Sequence, residues 1–212
     1  MNLDTLKNDL FDDKMTLIPL IGLENIEFVL RDVKENGIKG DFVETGVWQG
    51  GACIYARAVM NELKLEGNVY VCDSFEGLPK PDTKNFPQDD GDGHYQIDVL
   101  RVSQETVTNN FLRYDLLGGV KFVKGWFKDT MPVLKNELKS VAVLRLDGDM
   151  YESTVEVLNN LYDLVPIGGY IIIDDYCLSR CKIAVDEFLK KKQIDSPFIS
   201  IDQCIHYWKK TC

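Results

Sequence analysis

Two pairs of aspartates, each placed directly after an apolar run, are the side chains in this sequence with the clearest capacity for chemistry. The pairs are Asp147 with Asp149 and Asp174 with Asp175, and their first members are 27 residues apart. Residues 144–146 precede the first pair and residues 171–173 precede the second. An apolar run without alternation is typical of a strand covered on both faces, as in a parallel sheet. Because one strand–helix–strand unit takes about 30 residues, the two runs are predicted to be successive parallel strands.

Parallel strands open their carboxyl ends at the same edge of a sheet, which is where ligands of such folds bind. Several carboxylates gathered there would repel one another unless a positive charge lies between them. A hard divalent cation is the expected occupant, because it prefers oxygen ligands. The alternative is that each aspartate caps the helix after it, and capping is the stronger interpretation for an isolated aspartate. Acid pairs at two adjacent strand ends favour the metal.

A glycine-rich turn follows the first predicted strand, and an acid ends the second. Residues 41–45 form the first strand, residues 46–51 have the pattern Gly-x-x-x-Gly-Gly, and Asp73 ends the strand 69–73. Such glycines let a ligand approach the backbone, and a carboxylate at the second strand accepts hydrogen bonds from the ribose hydroxyls of an adenosine. The pattern lacks the glycine spacing of dinucleotide enzymes, which disfavours an NAD-dependent oxidoreductase. Glu44 would repel a pyrophosphate but suits a ligand with a positive amino group, such as S-adenosylmethionine.

Composition excludes several classes of partner. The chain of 212 residues has 24 basic and 34 acidic residues, a formal net charge of −10, and no basic block. No nucleic acid and no anionic membrane surface is therefore expected as its main partner. The length fits one domain, residues 1–212. There is no apolar stretch of the ~18 residues that span a membrane and no signal peptide, so a cytoplasmic protein is expected.

The six cysteines are expected to be reduced. Cys53 and Cys72 fall in apolar segments, where a small buried thiol is the simplest interpretation. Cys177 and Cys181 are close in sequence but lack a second Cys or His pair, which disfavours a zinc site.

Strands and helices alternate along the chain, which is typical of an α/β fold with parallel central strands. Helices are predicted at about 23–34, 52–65, 104–116, 125–138, 153–164 and 182–191, and further strands at 120–124, 198–201 and 205–208. The last two of these strands are predicted to pair antiparallel to each other. Residues 1–22 are left as a lead-in without an assigned structure.

One insertion interrupts the alternation, at about residues 79–102. It is rich in Pro, Asp and Gly and has no periodic pattern, which in a compact domain indicates a functional lid or a mobile insertion. Its acidic part, residues 89–94, resembles a calcium loop but lacks the flanking helices and the terminal Glu. His94 is the histidine of this insertion, either solvated or in contact with an acceptor substrate.

Five blocks in order along the chain resemble the macrocin-type (TylF/MycF) sugar O-methyltransferases. The blocks are residues 44–51, 73–79, 125–130, 144–154 and 168–176. The resemblance covers about residues 15–210. It implies a class I methyltransferase fold, a Rossmann-like seven-stranded, mostly parallel sheet with an antiparallel last strand and helices on both faces. It also implies S-adenosylmethionine as methyl donor and Mg²⁺ as required metal.

The resemblance also assigns roles to individual residues. The implied magnesium ligands are Asp147, Asp174 and Asp175, and Asp147 falls where the family's general base sits. The implied cofactor-binding residues are Glu44, Thr45, Gly46, Asp73, Ser74, Phe75, Trp126, Phe127 and, more weakly, Ser153. Asp149 lies outside the family's ligand set and is expected to be structural. The C-terminal residues 201–208 depart from the family pattern, so the acceptor pocket is expected to differ there.

These residues together predict a Mg²⁺-dependent transfer of methyl from S-adenosylmethionine to a sugar hydroxyl of a glycoside or nucleotide-linked sugar. A catechol or small-phenol O-methyltransferase is the nearest alternative, and a non-catalytic S-adenosylmethionine-binding subunit is an alternative from another class. The expected partner is a small-molecule acceptor, and relatives suggest a homo-oligomer.

Overall fold

A twisted sheet at the centre of the molecule carries the predicted strand ends. The computed structural model describes residues 2–211. In that range the strands are β1 (Asp41–Thr45), β2 (Val69–Asp73), β3 (Val120–Lys124), β4 (Val141–Leu146), β5 (Tyr170–Ile173), β6 (Ile199–Ser200) and β7 (His206–Lys209), in the order β3-β2-β1-β4-β5-β7-β6. The first five strands of this order are mutually parallel, and β7 is antiparallel to both β5 and β6. The predicted seven-stranded sheet with a reversed last strand is confirmed.

Strands β4 and β5 are adjacent in the sheet and buried along their whole length. Every residue of each strand is buried, so each must be covered by helices on both faces. Their register pairs Leu146 with Ile173, and the ladder continues one step further, where the Asp174 N–H donates to the Leu146 carbonyl at 2.9 Å. On the other side of β4 the Asp147 N–H donates to the Thr45 carbonyl, also at 2.9 Å. The carboxyl ends of β1, β4 and β5 are therefore level.

Seven helices of the described chain cover the two faces of the sheet. They are α1 (Leu3–Asp12), α2 (Leu20–Glu35), α3 (Gly51–Glu62), α4 (Gln104–Arg113), α5 (Phe127–Glu137), α6 (Tyr151–Leu161) and α7 (Ser179–Lys192). Buried side chains of α1 to α4 form one apolar cluster with the sheet. Those of α5, α6 and α7 form a second cluster on the opposite face.

The lead-in, for which the sequence predicts no element, contains α1. The Asn2 side chain accepts a hydrogen bond from the Thr5 N–H and so caps the helix. Leu3, Leu6 and Leu10 then lie on one buried face. The three leucines have helical spacing, but three apolar residues are a weak pattern from which to predict a helix.

Segment 79–102 connects β2 to α4 without a long helix or strand. Only three short 3₁₀ turns occur in it, at Pro87–Asp89, His94–Gln96 and Asp98–Leu100. That this irregular segment acts as a lid stays a prediction.

None of the helices within residues 2–211 is long and apolar enough to cross a membrane.

Candidate active site

A cavity of about 760 Å³ opens at the carboxyl ends of the parallel strands. Its wall is built from the turn after β1, the end of β2, segment 79–102, the first turns of α5 and α6, and the loops around β5 and β7. These parts of the chain meet only in the folded protein. The position at the strand ends is the one at which open α/β sheets bind ligands.

Three aspartates converge in this cavity. One oxygen each of Asp147, Asp174 and Asp175 lies within 4.8 Å of the other two. Burial raises the pKa of Asp174 and of Asp175 well above the usual carboxyl range, and the neighbouring Asp147 raises both further. The site therefore carries more negative charge than its surroundings stabilise, which is the electrostatic setting that a cation relieves.

A buried guanidinium holds this cluster together from behind. Arg145 on β4 is 1% exposed, and its Nη1 donates to Asp147 Oδ2 at 2.9 Å. The same guanidinium donates to Asp174 Oδ1 and to Glu44 Oε1. On the far side, the Asp149 N–H donates to Asp175 Oδ2 at 2.9 Å. Each of the three aspartates thus has one oxygen that accepts a hydrogen bond from a protein donor.

The strand-end aspartates do not cap the helices that follow them. Helix α6 starts after Met150, and its first N–H groups, those of Tyr151 and Glu152, donate to Asp89 at 2.8 and 2.9 Å. Helix α7 starts after Leu178 without a side-chain cap. The capping interpretation of the two acid pairs is therefore wrong, because a residue 62 positions away supplies the cap of α6.

The turn after β1 brings its backbone close to β4. Gly46 has φ +85°, and a Cβ added to it would lie 1.6 Å from the Asp147 carbonyl oxygen. Only glycine fits at this point. The acid at the end of β2 is fixed nearby, since Asp73 accepts from the Val47 N–H at 2.8 Å and from the Phe75 N–H at 2.7 Å. Its carboxylate is thereby held at the cavity wall.

Most residues predicted to bind a cofactor lie on the cavity wall. They are Glu44, Gly46, Asp73, Ser74, Trp126, Phe127 and Ser153. Thr45 and Phe75 are buried behind it: the Thr45 hydroxyl faces the Arg145 carbonyl at 3.4 Å, and the Phe75 ring lies against Phe122. Their predicted cofactor contacts stay predictions.

Glu44 is nearly enclosed although it reaches the cavity wall. It is 1% exposed, and besides Arg145 it accepts a hydrogen bond from the Cys53 thiol at 2.7 Å. Burial raises the pKa of Glu44 to about 7, against the attraction of the Arg145 guanidinium. This carboxylate is therefore a link between β1 and β4 as well as a part of the wall.

Segment 79–102 is fastened to the helices beside the cavity. Asp89 is completely buried at the start of α6, and Arg180 of α7 donates to the Asp90 carbonyl at 2.7 Å. Near the other end of the segment, the Trp48 indole N–H donates to the Val99 carbonyl at 2.8 Å. The acidic residues 89–94, which resemble a calcium loop in sequence, thus attach the segment to α6 and α7. His94, in the same stretch, lies on the cavity wall.

The far wall of the cavity contains a disulfide. Cys177, three residues after Asp174, is bonded to Cys204 in the turn before β7, and both cysteines line the cavity. The expectation that all cysteines are reduced is therefore wrong for this pair. Because 27 residues separate the two, no local pattern indicates their pairing.

Reduction of this disulfide is expected to lower the free energy of unfolding of the oxidised protein by about 3–4 kcal/mol, the loop-closure value for a link of this span. Urea unfolding with and without dithiothreitol measures the difference. In Cys204→Ser the effect of dithiothreitol should disappear. Recovery of Cys177 and Cys204 as separately alkylated thiols from protein never exposed to reductant would contradict the pairing.

Arg145, Asp89 and Cys204 are the site residues that sequence reasoning missed. Arg145 did leave a signal, since a charged side chain within a run of buried strand residues needs partners inside the fold. Asp89 and Cys204 left none, because their partners are 62 and 27 residues away.

Known proteins are similar to this chain in sequence and in fold. The chain is 45% identical over 200 residues to demethyldecarbamoylnovobiocin O-methyltransferase of Streptomyces niveus, covering 92% of this chain and 76% of that protein. It is 40% identical over 201 residues to mycinamicin III 3''-O-methyltransferase of Micromonospora griseorubida, covering 92% and 78%. The structure of the O-methyltransferase NovP superposes with a TM-score of 0.89 at 45% identity, covering 93% of this chain and 82% of NovP.

The family model of the macrocin O-methyltransferases (TylF) matches residues 6–210. The resemblance noted in the five sequence blocks is thus confirmed over nearly the whole chain. This protein belongs to the macrocin O-methyltransferase (TylF) family.

Proposed function

We propose that this protein transfers the methyl group of S-adenosylmethionine to a sugar hydroxyl of a glycoside or nucleotide-linked sugar, with Mg²⁺ held by Asp147, Asp174 and Asp175. The observation that carries the proposal is the convergence of these three aspartates, to within 4.8 Å, in the same cavity as the turn after β1 and Asp73. The names of two relatives specify 3''-O-methylation of mycinamicin III and 4'-O-methylation of a tetracenomycin that carries a rhamnosyl group, which supports a glycoside as the acceptor.

The donor set suits Mg²⁺. Three carboxylates supply hard oxygen ligands, and each has one oxygen held in place by a protein N–H. Mg²⁺ is usually bound by only a few carboxylates, and water or substrate oxygens take its remaining coordination positions. Bound there, the ion would supply Lewis-acid activation, which lowers the pKa of a coordinated hydroxyl and orients it.

The other end of the cavity suits S-adenosylmethionine. Asp73 is fixed by two backbone N–H groups and offers its remaining lone pairs to the ribose hydroxyls. Trp126 and Phe127 supply aromatic surface on the wall for the adenine. The acids of the cavity favour the positive ammonium and sulfonium groups of this donor over an anionic ligand. Holding donor and acceptor in one enclosed site supplies much of the acceleration by orientation alone.

Methyl transfer from radiolabelled S-adenosylmethionine tests the function. The acceptors are p-nitrophenyl α-L-rhamnoside, chosen because a relative's name specifies a rhamnosyl group, the corresponding glucoside and catechol. We expect methylation of a glycoside in MgCl₂ and a loss of about 100-fold or more in EDTA. Preference for catechol over every glycoside would favour the phenol alternative. Cofactor binding by calorimetry without transfer to any acceptor would favour the non-catalytic subunit and contradict the proposal.

A further inference from the structure

The Cys177–Cys204 disulfide lies where the paired strands β5 and β7 end at the cavity. The register pairs Ile173 with His206, so Cys177 follows the end of β5 and Cys204 precedes the start of β7. Beyond that pair, the Tyr176 N–H donates to the Cys204 carbonyl at 3.0 Å. Both cysteines line the cavity. The disulfide therefore joins the two loops that form this wall.

The disulfide is accessible from the solvent. Cys177 is exposed and Cys204 is half-buried, whereas the free cysteines Cys53, Cys72 and Cys181 are buried. In thiol–disulfide exchange a thiolate must reach a disulfide sulfur, and exposed disulfides are the labile ones. A dithiol in solution can therefore reach this pair, while the three buried thiols are shielded.

The order of the strands separates this wall from the donor end of the cavity. Asp73 ends β2 and Trp126 follows β3, so both lie on one side of β4. The two linked loops extend from β5 and β7, on the other side of β4. A donor bound beside Asp73 leaves the wall with the disulfide to the acceptor.

The disulfide fixes the separation of two apolar side chains on this wall. Leu178 follows Cys177, Ile205 follows Cys204, and both apolar residues line the cavity. Within the second loop, Asp202 Oδ1 accepts from the N–H groups of Cys204 and Ile205, each at 2.7 Å. Each loop is therefore a short structured unit, and the disulfide joins the two units covalently.

The acids of the candidate metal site are held without this link. The Asp174 N–H donates to the Leu146 carbonyl at 2.9 Å, and its carboxylate accepts from Arg145. Asp175 Oδ2 accepts from the Asp149 N–H at 2.9 Å. Breaking the disulfide is therefore expected to loosen the acceptor wall and to leave these acids in place.

We propose that the Cys177–Cys204 disulfide is a redox switch of acceptor binding: the oxidised pair holds the wall in the shape that binds the glycoside, and reduction by a dithiol weakens that binding. This inference rests on the function proposed above.

The reduction balances in atoms and electrons. A thiolate of the dithiol attacks the sulfur of Cys177, the more exposed of the pair, and the bond between the two cysteines breaks with its electron pair on the Cys204 sulfur. The second thiol of the reductant then displaces Cys177 from the mixed disulfide. Two electrons and two protons pass to the protein, which ends with two thiols, and the dithiol ends as a disulfide.

The test compares the oxidised protein with the same protein reduced by dithiothreitol, using whichever p-nitrophenyl glycoside is methylated. On reduction the KM for the acceptor should rise about 5- to 10-fold, because the loosened wall must be ordered when the acceptor binds. The kcat and the calorimetric affinity for S-adenosylhomocysteine should stay unchanged. Amide hydrogen exchange should become faster at residues 176–178 and 201–205 and stay the same in β5.

Two variants separate the disulfide from other effects of the reductant. Cys177→Ser cannot form the link, so it should show the higher acceptor KM with and without dithiothreitol. Cys181→Ala lacks a buried thiol but keeps the pair, and its KM should respond to dithiothreitol as that of the wild type does. Peptide mapping after alkylation should find Cys177 and Cys204 labelled once the folded protein has been reduced.

Three results would overturn the switch while leaving the function intact. They are an acceptor KM that is equal or lower in the reduced protein, a parallel loss of affinity for S-adenosylhomocysteine, and a disulfide that dithiothreitol reduces only in urea. Absence of transfer to any acceptor by the oxidised and by the reduced protein would instead count against the function itself.

Discussion

Replacing Asp174 by asparagine is expected to weaken Mg²⁺ binding by about 100-fold or more and to reduce methyl transfer at fixed Mg²⁺ at least in proportion. The carboxylate accepts from Arg145 with Oδ1, and Asp174 is one of the three acids that can each offer an oxygen to the ion. Asparagine keeps the shape but removes the charge, and its NH₂ group cannot serve as a ligand. Isothermal titration with MgCl₂ measures the affinity, and the transfer assay measures kcat.

Asp186→Asn is the matched control for this prediction. Asp186 is an exposed acid of α7 that pairs with Lys182, so its loss should change neither the affinity for Mg²⁺ nor kcat. Wild-type metal affinity in Asp174→Asn would show that this acid does not bind the ion.

Replacing Arg145 by methionine is expected to cost about 3–5 kcal/mol of unfolding free energy in EDTA. The substitution leaves Glu44, Asp147 and Asp174 gathered without the guanidinium that neutralises them. Removing one member of a buried ionic network leaves the other charges uncompensated. The resulting loss of stability is larger than the net stability that the intact network contributes. Addition of Mg²⁺ should restore part of the loss, because the ion supplies positive charge to two of the same carboxylates.

Arg57→Met separates this electrostatic effect from lost packing. Arg57 is also buried, but it donates to Asn61 and to the Gly67 carbonyl and contacts no carboxylate among its hydrogen-bond partners in the described chain. Urea unfolding of both variants with and without MgCl₂ should show a larger stabilisation by the ion in Arg145→Met only. An Arg145→Met loss below about 1 kcal/mol, within the range of surface ion pairs, would contradict the role given to this residue.

The architecture could be predicted from sequence because local patterns determine it. The runs that contain residues 144–146 and 171–173, apolar apart from Arg145, are both strands with every residue buried. The spacing of Asp147 and Asp174 then follows from parallel pairing, since their preceding residues stand side by side in the sheet. The glycines of the turn after β1 were predicted to let a ligand approach, whereas the structure shows that Gly46 is needed to fit against the Asp147 carbonyl.

What escaped prediction depends on contacts between distant parts of the chain. Helix α6 begins at Tyr151, and its cap comes from Asp89 in the preceding insertion. The aspartates at the strand ends are therefore not needed as caps. The three partners of Arg145 come from β1, β4 and the end of β5. No residue pattern along the chain encodes which of several acids a buried arginine meets. The same holds for the partner of Cys177.

The central claim is that acids from neighbouring strand ends hold one cation beside the methyl donor. A crystal of the protein grown with MnCl₂ and S-adenosylhomocysteine tests it most directly, because manganese scatters anomalously and takes the same oxygen ligands. The account predicts one anomalous peak within about 2.2 Å of an oxygen of Asp147, Asp174 and Asp175, with the thioether in the same cavity. A cavity that holds the thioether while the three carboxylates bind no manganese would contradict it.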